Sequence, residues 1–222
     1  MIDPKVKSAI PAALEAFSGY DNFDATTVTD EFYEVFASDA DFMTKVEELD
    51  DVFDTYPAIE VLREVFFDML MVNFFSADVK KLEADYLDSP EWEAIEEETL
   101  DRGTELLNVL LYLNECEDED IEPGLEDYLK EFLLVDEDEF QDEYRIYEPI
   151  IANQILIEGP VEDIAKVADI LPVDSEIKEL FYPLMCFFQN TEPTESILQM
   201  IADSSLDPEF DMPVMQILIN FK

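Results

Sequence analysis

Apolar residues recur at three- and four-residue spacing along almost the whole chain. No stretch sustains the strict alternation of a half-buried strand, so the pattern predicts an all-α protein. Asp3-Pro4, Ser89-Pro90, Gly159-Pro160 and Asp207-Pro208 each set a capping residue before a proline at the first helical position, where the missing N–H costs nothing. From these marks helices are predicted near 4–18, 30–37, 40–55, 58–75, 78–87, 90–114, 124–134, 138–157, 160–171, 175–189, 194–203 and 208–221.

Two of these helices differ in texture. The one after Pro57 carries Val61, Leu62, Val65, Phe66, Phe67, Met69, Leu70, Val72, Phe74 and Phe75 on most of its circumference, which implies neighbours on several sides. The one after Ser89 sets Trp92, Ile95, Leu106, Leu107, Leu110 and Leu111 along a stripe. It crowds Glu91, Glu93, Glu96, Glu97 and Glu98 into its early turns, where the macrodipole favours acids.

The C-terminal part repeats itself. A shift of 33 residues superimposes Pro160 on Pro193, Glu162 on Glu195, Ile164 on Ile197, Val167 on Met200, Asp174 on Asp207, Glu176 on Glu209, Ile177 on Phe210 and Leu184 on Ile217. A weaker earlier copy matches Gly124 and Leu129 to Gly159 and Ile164 at a shift of 35, and Phe140, Tyr144 and Tyr147 to Ile177, Phe181 and Leu184 at 37. Helix pairs at this period stack as α-solenoids do, because each pair buries its apolar face only against the next. The architecture is loosely similar to HEAT or tetratricopeptide (TPR) arrays, without their diagnostic Trp/Gly/Tyr signature. The chain is read as one continuous helical domain over 1–222, with a subdivision into N-terminal helices, 1–116, and helical-hairpin repeats, 124–222, as the alternative.

Composition changes the picture through charge. Of 222 residues 48% are hydrophobic, enough for a sizeable core, yet 57 acids against 12 bases leave a formal net charge of -45. Such a surface repels nucleic acid and anionic lipid, so neither is expected as a direct partner. The run "AIEVLREVFFDMLMVNFF" is broken by Glu60, Arg63, Glu64, Asp68 and Asn73, short of a clean membrane span of ~20 residues. The two cysteines, Cys116 and Cys186, form no CxxC pair, and no convincing signal-peptide cleavage site follows the N-terminus; a cytoplasmic location is expected.

Candidate chemistry is sparse. The chain has no histidine, which removes Ser-His-Asp and Cys-His catalysis, and it has no phosphate-binding glycine motif. Asp118, Asp120 and Glu122 have the spacing that opens an EF-hand loop, but Pro123 and Leu129 stand where that loop needs Gly and a bidentate Glu. No enzyme, cofactor or metal is expected. What stands out is "NECEDEDIEPGLEDYLKEFLLVDEDEFQDEY", residues 114–144, with fifteen acids and one base, Lys130. Ordered carboxylates of this density imitate the phosphates of a duplex toward a basic protein. The expected partner is therefore a basic macromolecule, with a nuclease-neutralising immunity protein or a DNA mimic as the concrete version. The partner-binding candidates are Glu117, Asp118, Glu119, Asp120, Glu122, Asp136, Glu137, Asp138 and Glu139, two clusters flanking one short predicted helix. The alternative is a helical-repeat adaptor that binds a peptide in an apolar groove, its acids serving solubility alone.

Overall fold

The Asp3 carboxylate accepts hydrogen bonds from the backbone N–H groups of Lys5 and Val6, closing the first turn of α1 (Pro4–Ser18). Asp24 caps α2 (Ala25–Ala37) through Thr26 and Thr27, and Asp41 caps α3 (Phe42–Thr55) through Thr44. The start of α2 therefore lies before the expected residue 30, because the Asp24 cap outweighs the weak helical preference of the two threonines. The structure, a computed structural model, describes residues 1–21, 23–77, 86, 89–132, 134–136, 139–140 and 145–222. These residues fall into two compact units, Met1–Leu110 and Leu111–Lys222.

In the first unit a 3-10 turn, Pro57–Leu62, leads into α4 (Arg63–Ala77). Every residue of α4 from Val65 to Phe74 is buried, as its all-round apolar pattern requires. Phe32, Phe53 and Phe66 meet at its heart, with ring centroids 4.5 to 5.7 Å apart. The helix predicted over 78–87 lies outside the described residues, Tyr86 apart.

The single helix predicted over 90–114 is two helices. The first, α5 (Pro90–Glu98), is capped by the Ser89 hydroxyl on the Trp92 N–H; the second, α6, runs Leu106–Glu119. Gly103 sits between them with φ +81°, a left-handed conformation that a helix cannot contain. Buried Asp68 holds the break. Its carboxylate accepts from the Thr104 N–H at 3.0 Å and from the Thr104 hydroxyl at 2.5 Å, 36 residues along the chain.

The helix predicted over 124–134 is corrected to one α turn, α7 (Leu125–Asp127), followed by a π turn, Tyr128–Phe132. The helix predicted over 138–157 is likewise corrected. Residues β1 (Leu134–Asp136) and β2 (Glu139–Phe140) pair antiparallel, with Leu134 opposite Phe140 and Asp136 opposite Glu139. Among the described residues of the remainder, α8 (Glu148–Ala152) and a 3-10 turn, Gln154–Glu158, are helical. Val135 and Phe140 favour extended backbone, and the antiparallel pairing of the two short segments overrides the helical spacing of their apolar residues. Among the described residues, the weaker earlier repeat copy shows short turns and a strand pair where the later copies have two helices.

The last four helices lie close to expectation: α9 (Val161–Ile170), α10 (Lys178–Gln189), α11 (Glu195–Ser204) and α12 (Pro208–Phe221). Helix α10 is buried from Leu180 to Phe188, and it packs on α9 and α12, while α11 packs on α9 and α12. Gln189 donates to the Gly159 carbonyl at 2.7 Å, and the Tyr182 hydroxyl donates to the Ile201 carbonyl at 2.7 Å. With Lys178 donating to the Leu171 carbonyl at the other end, α10 runs antiparallel to α9. Among the described residues the regular structure is helical apart from one short strand pair, and no helix is long and apolar enough to cross a membrane.

Candidate partner-binding surface

The acidic run begins where α6 ends. Leu113 and Cys116 face inward and are buried, while Glu115, Glu117, Asp118, Glu119 and Asp120 are exposed. The helix closes with a six-to-one hydrogen bond, the Ile121 N–H donating to the Cys116 carbonyl at 2.9 Å, and Asp120 takes the left-handed position with φ 58°. Glycine or asparagine is the usual occupant of that position, so an acid there is a local departure from the most stable choice. Pro123 then prevents the helix from resuming.

Two long-range contacts hold the turn. The Tyr112 hydroxyl accepts from the Gly124 N–H at 2.9 Å and donates to the Gly124 carbonyl at 3.1 Å, clamping the chain just past the acids. Glu122 receives the Lys222 ammonium at 2.8 Å, and Glu192 receives it at 2.9 Å. Burial pulls the Lys222 ammonium down, but the two carboxylates outweigh it and hold its pKa above the ordinary lysine value. Neither Tyr112 nor Lys222 was a candidate in the sequence, since nothing local connects residue 122 to residue 222.

Of the second predicted cluster, Asp136 and Glu139 stand opposite one another in the strand pair; Glu137 and Asp138 lie outside the described residues. The helix expected between the clusters is instead the turn of α7 and the π turn. The acids Glu117, Asp118, Glu119, Asp120 and Glu122 are brought together on one helix end.

Elsewhere the bases are drawn into internal pairs. Arg102 grips both oxygens of Asp50 at 3.1 Å and both oxygens of Glu64 through Nε at 3.1 Å. Arg63 binds Asp50, Asp54 and Glu60, each at 2.8 Å. The guanidinium groups lie over Phe67 and Phe53, 4.9 and 5.3 Å from the ring centres. Glu64 also accepts from the Gly103 N–H at 2.7 Å, so the arginine network and Asp68 together pin the break before α6. Burial drives the Asp68 carboxyl well above the usual carboxylate range, against the lowering effect of Thr104, with Glu64 and Glu105 adding repulsion. This arrangement is a structural clamp, assembled from residues far apart in sequence.

A second buried carboxyl, Asp211, sits in the other unit. Burial pushes it up to about 7 in spite of the Ser205 hydroxyl, which donates to it at 2.5 Å, and Asp207 adds to the rise. Tyr182 and Cys186 on α10 face the same carboxyl, and burial pushes the Cys186 thiol up to about 12. Among the described residues no three Asp, Glu or Cys side chains gather as metal ligands. No family model, no curated protein and no solved structure matches this chain, so its own fold and charge are the guides to its role.

Proposed function

We propose that this chain is a cytoplasmic interaction protein that binds a basic macromolecular partner through the acidic end of α6, as a nuclease-neutralising immunity protein or a DNA mimic would. One observation carries the reading: Glu117, Asp118, Glu119 and Asp120 occupy the last turn and left-handed cap of α6, with no base in that turn. The helix macrodipole places partial negative charge there, so each acid works against local stability. A cationic partner relieves both the crowding and the dipole. With 57 acids to 12 bases, and most described arginines committed to internal pairs, the protein has little positive charge of its own to do so.

The last four helices are read, as part of the same proposal, as two copies of a helical-hairpin repeat in a solenoid-like array. The support is that buried positions coincide at the 33-residue shift, Ile177 with Phe210 and Leu184 with Ile217. The repeat would offer a rigid support for the acidic end.

The experiment compares two charge-matched variants. Asp118, Asp120, Asp136 and Asp138 are changed to Asn in one, and Glu91, Glu93, Glu96 and Glu97 to Gln in the other. The on-rate of a partner captured from native lysate is then followed against salt. The first variant is expected to associate more slowly, with a flatter salt dependence, since clustered charge steers encounter before contact. Equal loss in both variants would mean that net charge alone acts; no loss in either would make the acids a solvated surface.

A further inference from the structure

At the end of the C-terminal hairpins opposite the acidic turn, apolar side chains stand in water. Val173 is 91% exposed, Ile170 77% and Leu206 67%. They belong to one edge, because the start of α10, the end of α11 and the start of α12 meet there. Lys178 donates to the Leu171 carbonyl at 2.6 Å, Tyr182 to the Ile201 carbonyl at 2.7 Å, and Ser205 to Asp211 at 2.5 Å. Val173 and Leu206 also occupy the same position, 33 residues apart, in the two hairpins. Each immediately precedes an exposed acid, Asp174 or Asp207, and each has a second exposed acid three residues on, Glu176 or Glu209. A single exposed apolar residue is ordinary, but an exposed apolar residue followed by the same acids at two equivalent turns is a patterned surface.

We propose that this edge, built on Ile170, Val173 and Leu206, docks an amphipathic basic segment of a partner protein. Charge selects that occupant. The acids flanking the apolar positions match a segment that carries lysines or arginines beside an apolar stripe. A second copy of this chain would bring the same carboxylates face to face, and an anionic lipid surface would be repelled. The two bases nearest the edge in sequence are already engaged, Lys166 with Asp163 and Lys178 with the Leu171 carbonyl. The edge is distinct from the acidic end of α6: Glu122 reaches Lys222 at the far end of α12, and fourteen helical residues separate the two ends by about 20 Å.

The test uses two synthetic peptides of identical lysine and leucine content, one with a helical apolar stripe and one scrambled to destroy it. Binding to the full chain is measured by fluorescence anisotropy, with Ile170→Ser, Val173→Ser and Leu206→Ser combined in one variant and Asp118→Asn with Asp120→Asn in another. All three serine sites are solvent-exposed, and circular dichroism checks that the fold is kept. The striped peptide should bind the serine variant at least about tenfold more weakly than the native chain, a larger loss than the Asn variant shows, the effect of losing the apolar anchors. Equal binding of both peptides, or unchanged binding by the serine variant, would overturn the docking edge while leaving the α6 reading intact. Loss confined to the Asn variant would overturn it in favour of the α6 surface. Vesicles of phosphatidylserine and phosphatidylcholine, and the dilution dependence of the native mass, complete the test. Serine-sensitive vesicle binding or self-association would replace the protein segment with lipid or a second copy.

Discussion

Replacing Asp211 with asparagine isolates a buried titration. The carboxyl is 4% exposed, and its pKa rises from an ordinary 3.8 to about 7. The folded state therefore holds this proton more tightly than the unfolded chain does. The associated stability is fully present below the unfolded value of 3.8 and is lost as pH rises through about 7. At about 1.4 kcal/mol for each pH unit, that loss amounts to about 4 kcal/mol. Asparagine keeps an acceptor for the Ser205 hydroxyl and its amide N–H replaces the carboxylic proton, so the fold should survive without the titration. The two proteins should be equally stable near pH 4, and the variant should be the more stable by up to about 4 kcal/mol near pH 8. Urea titrations followed by circular dichroism across pH, at constant ionic strength, supply the difference curve. Any titration common to both proteins cancels in the subtraction. Hydrogen exchange in α11 and α12 localises the effect. A difference curve that stays flat from pH 4 to pH 8 would refute the reasoning.

Two further outcomes follow from the packing. Gly103→Ala should destabilise the protein by about 2–4 kcal/mol, since it strains a left-handed residue and displaces a buried hydrogen-bonded carboxyl. The added Cβ would lie 2.6 Å from Asp68 Oδ1 and 3.2 Å from the Phe67 ring. Gly19→Ala, at a right-handed position with φ -68°, should cost far less in the same urea titration, and equal costs would contradict the account. Cys116 and Cys186, 3% and 0% exposed, should resist a thiol reagent in the native protein and react on unfolding. Burial, which holds the Cys186 thiol up at about 12, makes that site doubly slow; rapid native labelling would show that α10 opens readily.

Some helix starts were legible from signals within one turn of the chain, although the Asp24 cap of α2 was passed over. Asp3 and Ser89 cap the helices they announced, and the apolar periods of α9 to α12 placed four helices to within a few residues. The exposure of the acids from Glu117 to Asp120 was equally readable, because buried Leu113 and Cys116 leave the other face of α6 to solvent. The break before α6 was not. Its glycine is visible, but the carboxylates that hold it open come from Glu64 and Asp68, nearly forty residues away. The strand pair was missed because apolar spacing around residues 134–140 suits a helix, while the pairing of Leu134 with Phe140 is a contact that spacing does not reveal. The clasp of Lys222 on Glu122 likewise depends on two residues that share no local pattern. Caps and periodicity act within a few residues, so the sequence by itself determined α1, the burial of α4 and the four helices α9 to α12. Long-range polar pairs form only once the helices have packed, and tertiary structure alone decided where α6 begins and what clasps the turn at its end.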